Sequence, residues 1–155
     1  MEPESISAAI DSDVADIVLA SIRRHSMHID QWRWTKVGKI HQELDSVVQL
    51  LEAELPLVSY YASHASWYVV STRRVLWCFR GATHAIPAHQ ISESKFGNFK
   101  GHGGLEREIM VLVIADGRKL ELEYETGYAS MGAIYGIDVL RRKIASIHRT
   151  ANQGG

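Results

Sequence analysis

The chain has one cysteine, Cys78, among its 155 residues. No disulfide can form within it, so a reducing compartment is its natural home. Three prolines and 12 glycines are too few for a collagen-like chain. No apolar run approaches the roughly 18 residues of a membrane span; the stretch around residues 110–115 falls far short of it. Neither sign of charge dominates. The 17 basic and 18 acidic residues leave a net charge of -1, whereas a dedicated nucleic-acid binder carries a basic excess. Residues 1–10 are acidic and lack the basic start of a secretory signal. These absences lead to the expectation of a cytoplasmic protein with no nucleic-acid partner. What is present is ordinary for a globular domain: 46% hydrophobic and 23% charged residues. A chain of this length makes about one domain and buries a core without staples.

The first third reads helical. Asp11, Ser12 and Asp13 are helix-start residues, and Val14, Ile17, Val18 and Ile22 follow at helical spacing. A second helix is predicted from Val37, Ile40, Leu44, Val47, Leu51 and Leu55, with Thr35 as N-cap and Pro56 as the stop. The middle is strand-like. Residues 66–72 (SWYVVST) and 75–79 (VLWCF) make a hairpin. Residues 84–91 form a short strand, in which Pro87 points to an edge or bulge. Residues 94–100 alternate around Phe96 and Phe99, and Gly101-His102-Gly103-Gly104 is a loop. Residues 108–114 and 119–124 pair across Asp116-Gly117, a strong hairpin signal. Glu121, Glu123 and Glu125 fall on one wet face of the last strand. Residues 131–148 close the chain as an amphipathic helix. A block of strands with a flanking helix argues for an α+β fold with an antiparallel sheet.

Trp67-Tyr68-Val69-Val70-Ser71-Thr72-Arg73-Arg74-Val75-Leu76-Trp77 resembles the first hairpin of bacterial pleckstrin-homology-like domains. Ile86-Pro87-Ala88-His89-Gln90-Ile91 is similar to the third strand of that family, and residues 110–124 to its strand, D-G-x, strand hairpin. The resemblance covers about half the chain. It implies a bent antiparallel β-barrel or sandwich of two sheets, capped by a C-terminal helix, with two N-terminal helices added. The expected layout is a helical pair over residues 1–56, the PH-like unit over 57–150 and a disordered tail over 151–155, in one compact body. Such a scaffold hosts lipid, protein and peptide binding.

No residue set converges on catalysis. The eight histidines (25, 28, 41, 64, 84, 89, 102 and 148) lack HExxH or zinc spacing, so no metal and no cofactor is expected. Cys78 lies inside an apolar strand and reads as packing. The glycine-rich stretch around Lys100 lacks the GK[ST] of a phosphate loop. Arg141, Arg142 and Lys143 read as a solvated helix face suited to the dipole. Trp32 and Trp34 flank Arg33, a combination enriched at interface hot spots. The expectation is a non-enzymatic protein-binding module with contacts among Trp32, Arg33, Trp34, Arg73, Arg74, Lys100, His102, Glu121 and Glu123. One version is an immunity protein that occludes the active site of a cognate toxin, a product of a neighbouring gene. The alternatives are an anionic-lipid binder acting at a membrane surface through Arg73, Arg74, Arg80, Lys95 and Lys100, and a histidine-based enzyme or metal site. An amphipathic helix pair outside the barrel would also allow a homodimer.

Overall fold

The structure is a computed structural model and describes residues 3–153. Helix α1 (Pro3–Arg24) buries Val14, Val18 and Ile22 completely. These residues are four apart and share one face. Ile17, from the same expected stripe, stands exposed. Arg23 and Arg24 close the last turn, where positive charge suits the helix dipole.

The second N-terminal helix does not form. In its place are a three-residue strand β1 (Thr35–Val37), one 3-10 turn (Gln42–Leu44) and an irregular strap leading to β2 (Pro56–Ser63). The reason lies in β3 (Ser66–Ser71), where Trp67 to Val70 are all buried. Tyr68 and Val70 enter the main core, while Trp67 and Val69 point to the other face. That second apolar face needs a cover. Leu44 and Val48, with Ile40 and Leu50, supply it over Trp67, Val69 and Cys78. The three-and-four spacing thus belongs to a strap, not to a helix. Val47, Leu51 and Leu55 of the same pattern are exposed.

Strands β1 to β5 form one antiparallel sheet in chain order, with β4 at Arg74–Phe79 and β5 at Ala82–Pro87. Strands β6 (Ile91–Lys95), β7 (Arg107–Ile114) and β8 (Lys119–Glu125) form a second one. Both expected hairpins are present, and Met110 faces Leu122 in the later one. The strand expected over 84–91 is split. Its first part ends at Pro87 on an edge of the larger sheet, a 3-10 turn follows (Ala88–Gln90), and β6 begins in the other sheet. The strand expected over 94–100 stops at Lys95, and Phe96 and Phe99 pack on the core from a loop.

Helix α2 (Ser130–Gln153) presents Ala133, Ile137, Leu140 and Ile144 to the core and packs along α1. A Cβ on Gly136 would stand 3.0 Å from Val58, so that glycine lets α2 approach β2 closely. The helix runs through residues 151–153, which were expected to be a disordered tail; residues 154 and 155 lie outside the described residues. The architecture is α+β, two antiparallel sheets with a C-terminal helix, as the PH-like resemblance implies. The sheets do not close into a barrel. Among the described residues backbone ladders run only within each sheet, and side chains bridge the two: Trp77 Nε1 donates to the carbonyl of Glu121 at 2.9 Å, and Ser66 Oγ to Glu123 at 2.6 Å.

Candidate partner-binding site

Glu125 ends β8 on the face expected to be wet, yet it is buried. Its carboxylate accepts from the N–H of Arg33 at 3.0 Å, the N–H of Trp34 at 2.9 Å and the hydroxyl of Thr35 at 2.7 Å. One side chain therefore pins the segment before β1 to the end of β8. The carbonyl of Trp34 accepts in turn from His41 Nε2 at 2.7 Å and from the N–H of Tyr61 at 3.0 Å. Burial lowers the His41 pKa, helped by nearby Lys36 and opposed by the bond to Trp34 and by Glu43.

Held this way, Arg33 and Trp34 border a groove of about 390 Å³ whose walls include Lys100, Gly101, Leu105 and Glu106. The Arg33 guanidinium lies 4.2 Å from the Trp34 ring centre, and that of Arg107 lies 5.5 Å from it. Both distances suit cation–π attraction. Arg33 also meets Glu106 at 3.4 Å in an exposed pair, which adds little stability. The loop is tied down. Thr126 Oγ1 donates to the carbonyl of Leu105 at 2.6 Å, and Asn98 Nδ2 to that of His102 at 3.0 Å. Gly101 has φ +75°, and a Cβ there would lie 2.6 Å from the Leu105 carbonyl, so the turn requires glycine.

Lys100 also borders a neighbouring, mainly apolar pocket of about 470 Å³, lined by His25, Met27, Phe99, Tyr128 and Met131. Met27 and Tyr128 are more than half exposed, at 57% and 58%. The His25 ring stacks on Tyr135 at 4.0 Å, and His28 meets Tyr128 edge-on at 5.3 Å. Lys100 forms no ion pair among the described residues; its nearest ring is Phe99, with Nζ 6.0 Å from the centre.

The fold brings Arg33, Trp34 and Lys100 together, and His102 is exposed on the same loop. Other expected contact residues are used elsewhere. Trp32 is half-buried against the core, and its Nε1 donates to the carbonyl of Met27 at 2.9 Å. Glu123 accepts from Tyr60 and Ser66 between the sheets and meets Arg107 at 3.5 Å. Glu121 is exposed on β8. Arg73 pairs with Asp11 at 2.7 Å and Arg74 with Glu54 at 3.0 Å, both acids being buried. These pairs tie α1 and the strap to the first hairpin. Burial pushes the Glu54 carboxyl up, but bonds from Arg74, Ser71 and the N–H of Leu51 outweigh it and leave the pKa below its ordinary value. The expected lipid patch thereby has two of its cations engaged internally.

Met27, Tyr128 and Met131 carry no contact signal in the sequence, and Glu106 reads there only as an acid that dilutes the basic patch. Met27 and Tyr128 are far apart in the chain and meet as walls of one pocket only in the folded structure. Glu125 reads in the sequence as a solvated strand residue. Of the histidines, His84 stacks on Trp77 and His89 on His148, each at 4.8 Å. Among the described residues no group of three His, Cys, Asp or Glu could hold a metal ion, and no helix is long and apolar enough to cross a membrane.

No family model matches the chain, and no curated protein matches it. A solved structure of a DUF1696 family protein with a pleckstrin-homology domain, from Shewanella loihica PV-4, is similar to it at 16% identity. The match covers 75% of this chain and 95% of that one, with a TM-score of 0.47.

Proposed function

We propose that this protein is a non-enzymatic protein-binding module that holds a peptide or loop of a partner across the two adjoining cavities. The observation that carries this reading is the position of Lys100. It has no ion-pair partner among the described residues and stands between an apolar pocket with two exposed large side chains and a groove walled by Arg33 and Trp34. Trp, Tyr, Met and Arg are the residue types enriched where proteins meet. The matching partner segment carries an apolar anchor for the Met27–Tyr128 pocket and an acidic group beside it for Lys100. Neutralisation of a toxin by occlusion is the specific version we favour, since an occluding protein needs a preformed face of this kind.

The test is affinity capture from the native lysate, followed by binding assays with the purified products of neighbouring genes. A one-to-one partner should bind the wild type and lose about tenfold or more in affinity with either Lys100→Glu or Tyr128→Ala. Inhibition of a toxic partner would establish the specific version. Recovery only with anionic vesicles, lost in salt, would replace this reading with the lipid one.

A further inference from the structure

A third cavity, of about 520 Å³, opens between the end of α1 and β1. Arg23 enters it from the last turn of α1, Lys36 from β1 and Lys39 from just beyond. Asp30 is the one acid in the lining, and Trp32 contributes an apolar wall. Among the described residues none of the three cations takes part in an ion pair. This sets them apart from Arg73 and Arg74, whose charges are met by buried carboxylates.

The frame beneath them is firm. The N–H of Gly38 donates to the carbonyl of Leu57 at 2.8 Å, and Ser59 Oγ donates to that of Lys39 at 2.8 Å. Thr35 is fixed by Glu125. Gly38 turns at φ +77°, and a Cβ there would stand 3.8 Å from Arg23 Nη2, so the guanidinium lies against the turn between the two lysines. Three cations against one carboxylate leave a net positive charge of two. A phosphate monoester carries about −1.5 to −2 at pH 7 and offers three acceptor oxygens, which suits an Arg fork and two lysines.

We infer that this cavity binds a phosphorylated small molecule, with its phosphate on Arg23, Lys36 and Lys39 and the rest of the ligand along Trp32. The ester is either free or the headgroup of a lipid. The site is separate from the partner-binding cavities and does not depend on Lys100.

The full-length protein, labelled with nitrogen-15, should be titrated with inorganic phosphate, glycerol phosphate and adenosine monophosphate. It should also be mixed with phosphatidylcholine vesicles containing either a phosphatidylinositol phosphate or phosphatidylserine. Saturable shifts are expected at the amides of Arg23 and Lys36 to Lys39, weakening as salt rises. The double variant K36Q/K39Q should weaken binding about tenfold or more with an unchanged circular dichroism spectrum, and Lys100→Glu should have no effect. Binding to the soluble esters identifies a free ligand. Binding only to the phosphoinositide vesicles identifies a headgroup. No saturable response to any probe at low salt would overturn the inference, as would equal binding to phosphatidylserine vesicles or binding that K36Q/K39Q leaves intact.

Discussion

Removing the Glu125 carboxylate tests how the partner-binding site is built. In Glu125→Ala, the N–H groups of Arg33 and Trp34 and the hydroxyl of Thr35 lose their acceptor. A hydrogen bond to a charged group contributes about 1.5–3 kcal/mol, and a buried donor left unpaired costs about 1–3 kcal/mol. Arg33 is exposed, so water replaces its acceptor and that bond adds little. The bonds of half-buried Trp34 and buried Thr35 set the expected loss at about 2–5 kcal/mol. That is a large share of the roughly 5–15 kcal/mol that holds a typical domain. Glu125→Gln keeps an oxygen for Trp34 and Thr35 but turns an NH2 toward the N–H of Arg33, so its loss should be smaller, about 1–2 kcal/mol. Urea unfolding gives the magnitude, and amide hydrogen exchange at Arg33 and Trp34 gives the location. A loss below about 0.5 kcal/mol with unchanged exchange at both amides would refute the reasoning.

Leu44→Ala should cost about 2–5 kcal/mol, as for a filled core position, without loss of helical signal in circular dichroism; a change near zero would mean that the strap does not cover the sheet. Glu54 and His41 are among the groups that give stability an acid slope. The folded pKa of Glu54 lies below its ordinary value of 4.5, so its contribution is present above that pH and is lost as pH falls through the folded value. Glu54→Gln should lower stability at neutral pH and flatten the slope below 4.5, measured by urea unfolding across pH. The folded pKa of His41 lies below 6.5, so its contribution is whole above 6.5 and declines as pH falls toward the folded value. His41→Gln should remove the slope in that window while the slope from Glu54 persists.

The two hairpins after residue 65 are legible because their signals are local, whereas the break between β5 and β6 is not. Aspartate and glycine between two alternating runs define the later hairpin, and Pro87 ends an edge strand because it cannot donate to a ladder. The strap was not legible. Ile40, Leu44 and Val48 satisfy helical spacing, and their requirement to cover Trp67 and Val69 comes from a sheet remote in sequence. One clue was present: Trp67 to Val70 form an unbroken apolar run, the mark of a strand buried on both faces. Pro56, which reads as a helix stop, also conceals β2, whose residues 57–61 (LVSYY) are strand formers. At the site, Arg33, Trp34 and Lys100 were legible as residue types, but their meeting was not. It depends on Glu125, whose alternation with Glu121 and Glu123 suggested solvent, while its position at the end of β8 places it under the chain entering β1.

That dependence separates building the site from using it. Arg33 and Trp34 lie in a connecting segment, and loops of this kind ordinarily move. Here a buried carboxylate holds two successive backbone N–H groups, and the carbonyl of Trp34 is held from behind by His41 and Tyr61. The ordering is done before a partner arrives, so its entropic cost falls on folding and not on association. Substitutions at Glu125 should therefore weaken folding and binding together, with the binding loss seen in a slower on-rate or a reduced competent fraction. Substitutions at Tyr128, which is 58% exposed, should affect binding alone. If Glu125→Gln left partner affinity untouched while loosening the segment, the walls of the groove would not be the surface that the partner reads.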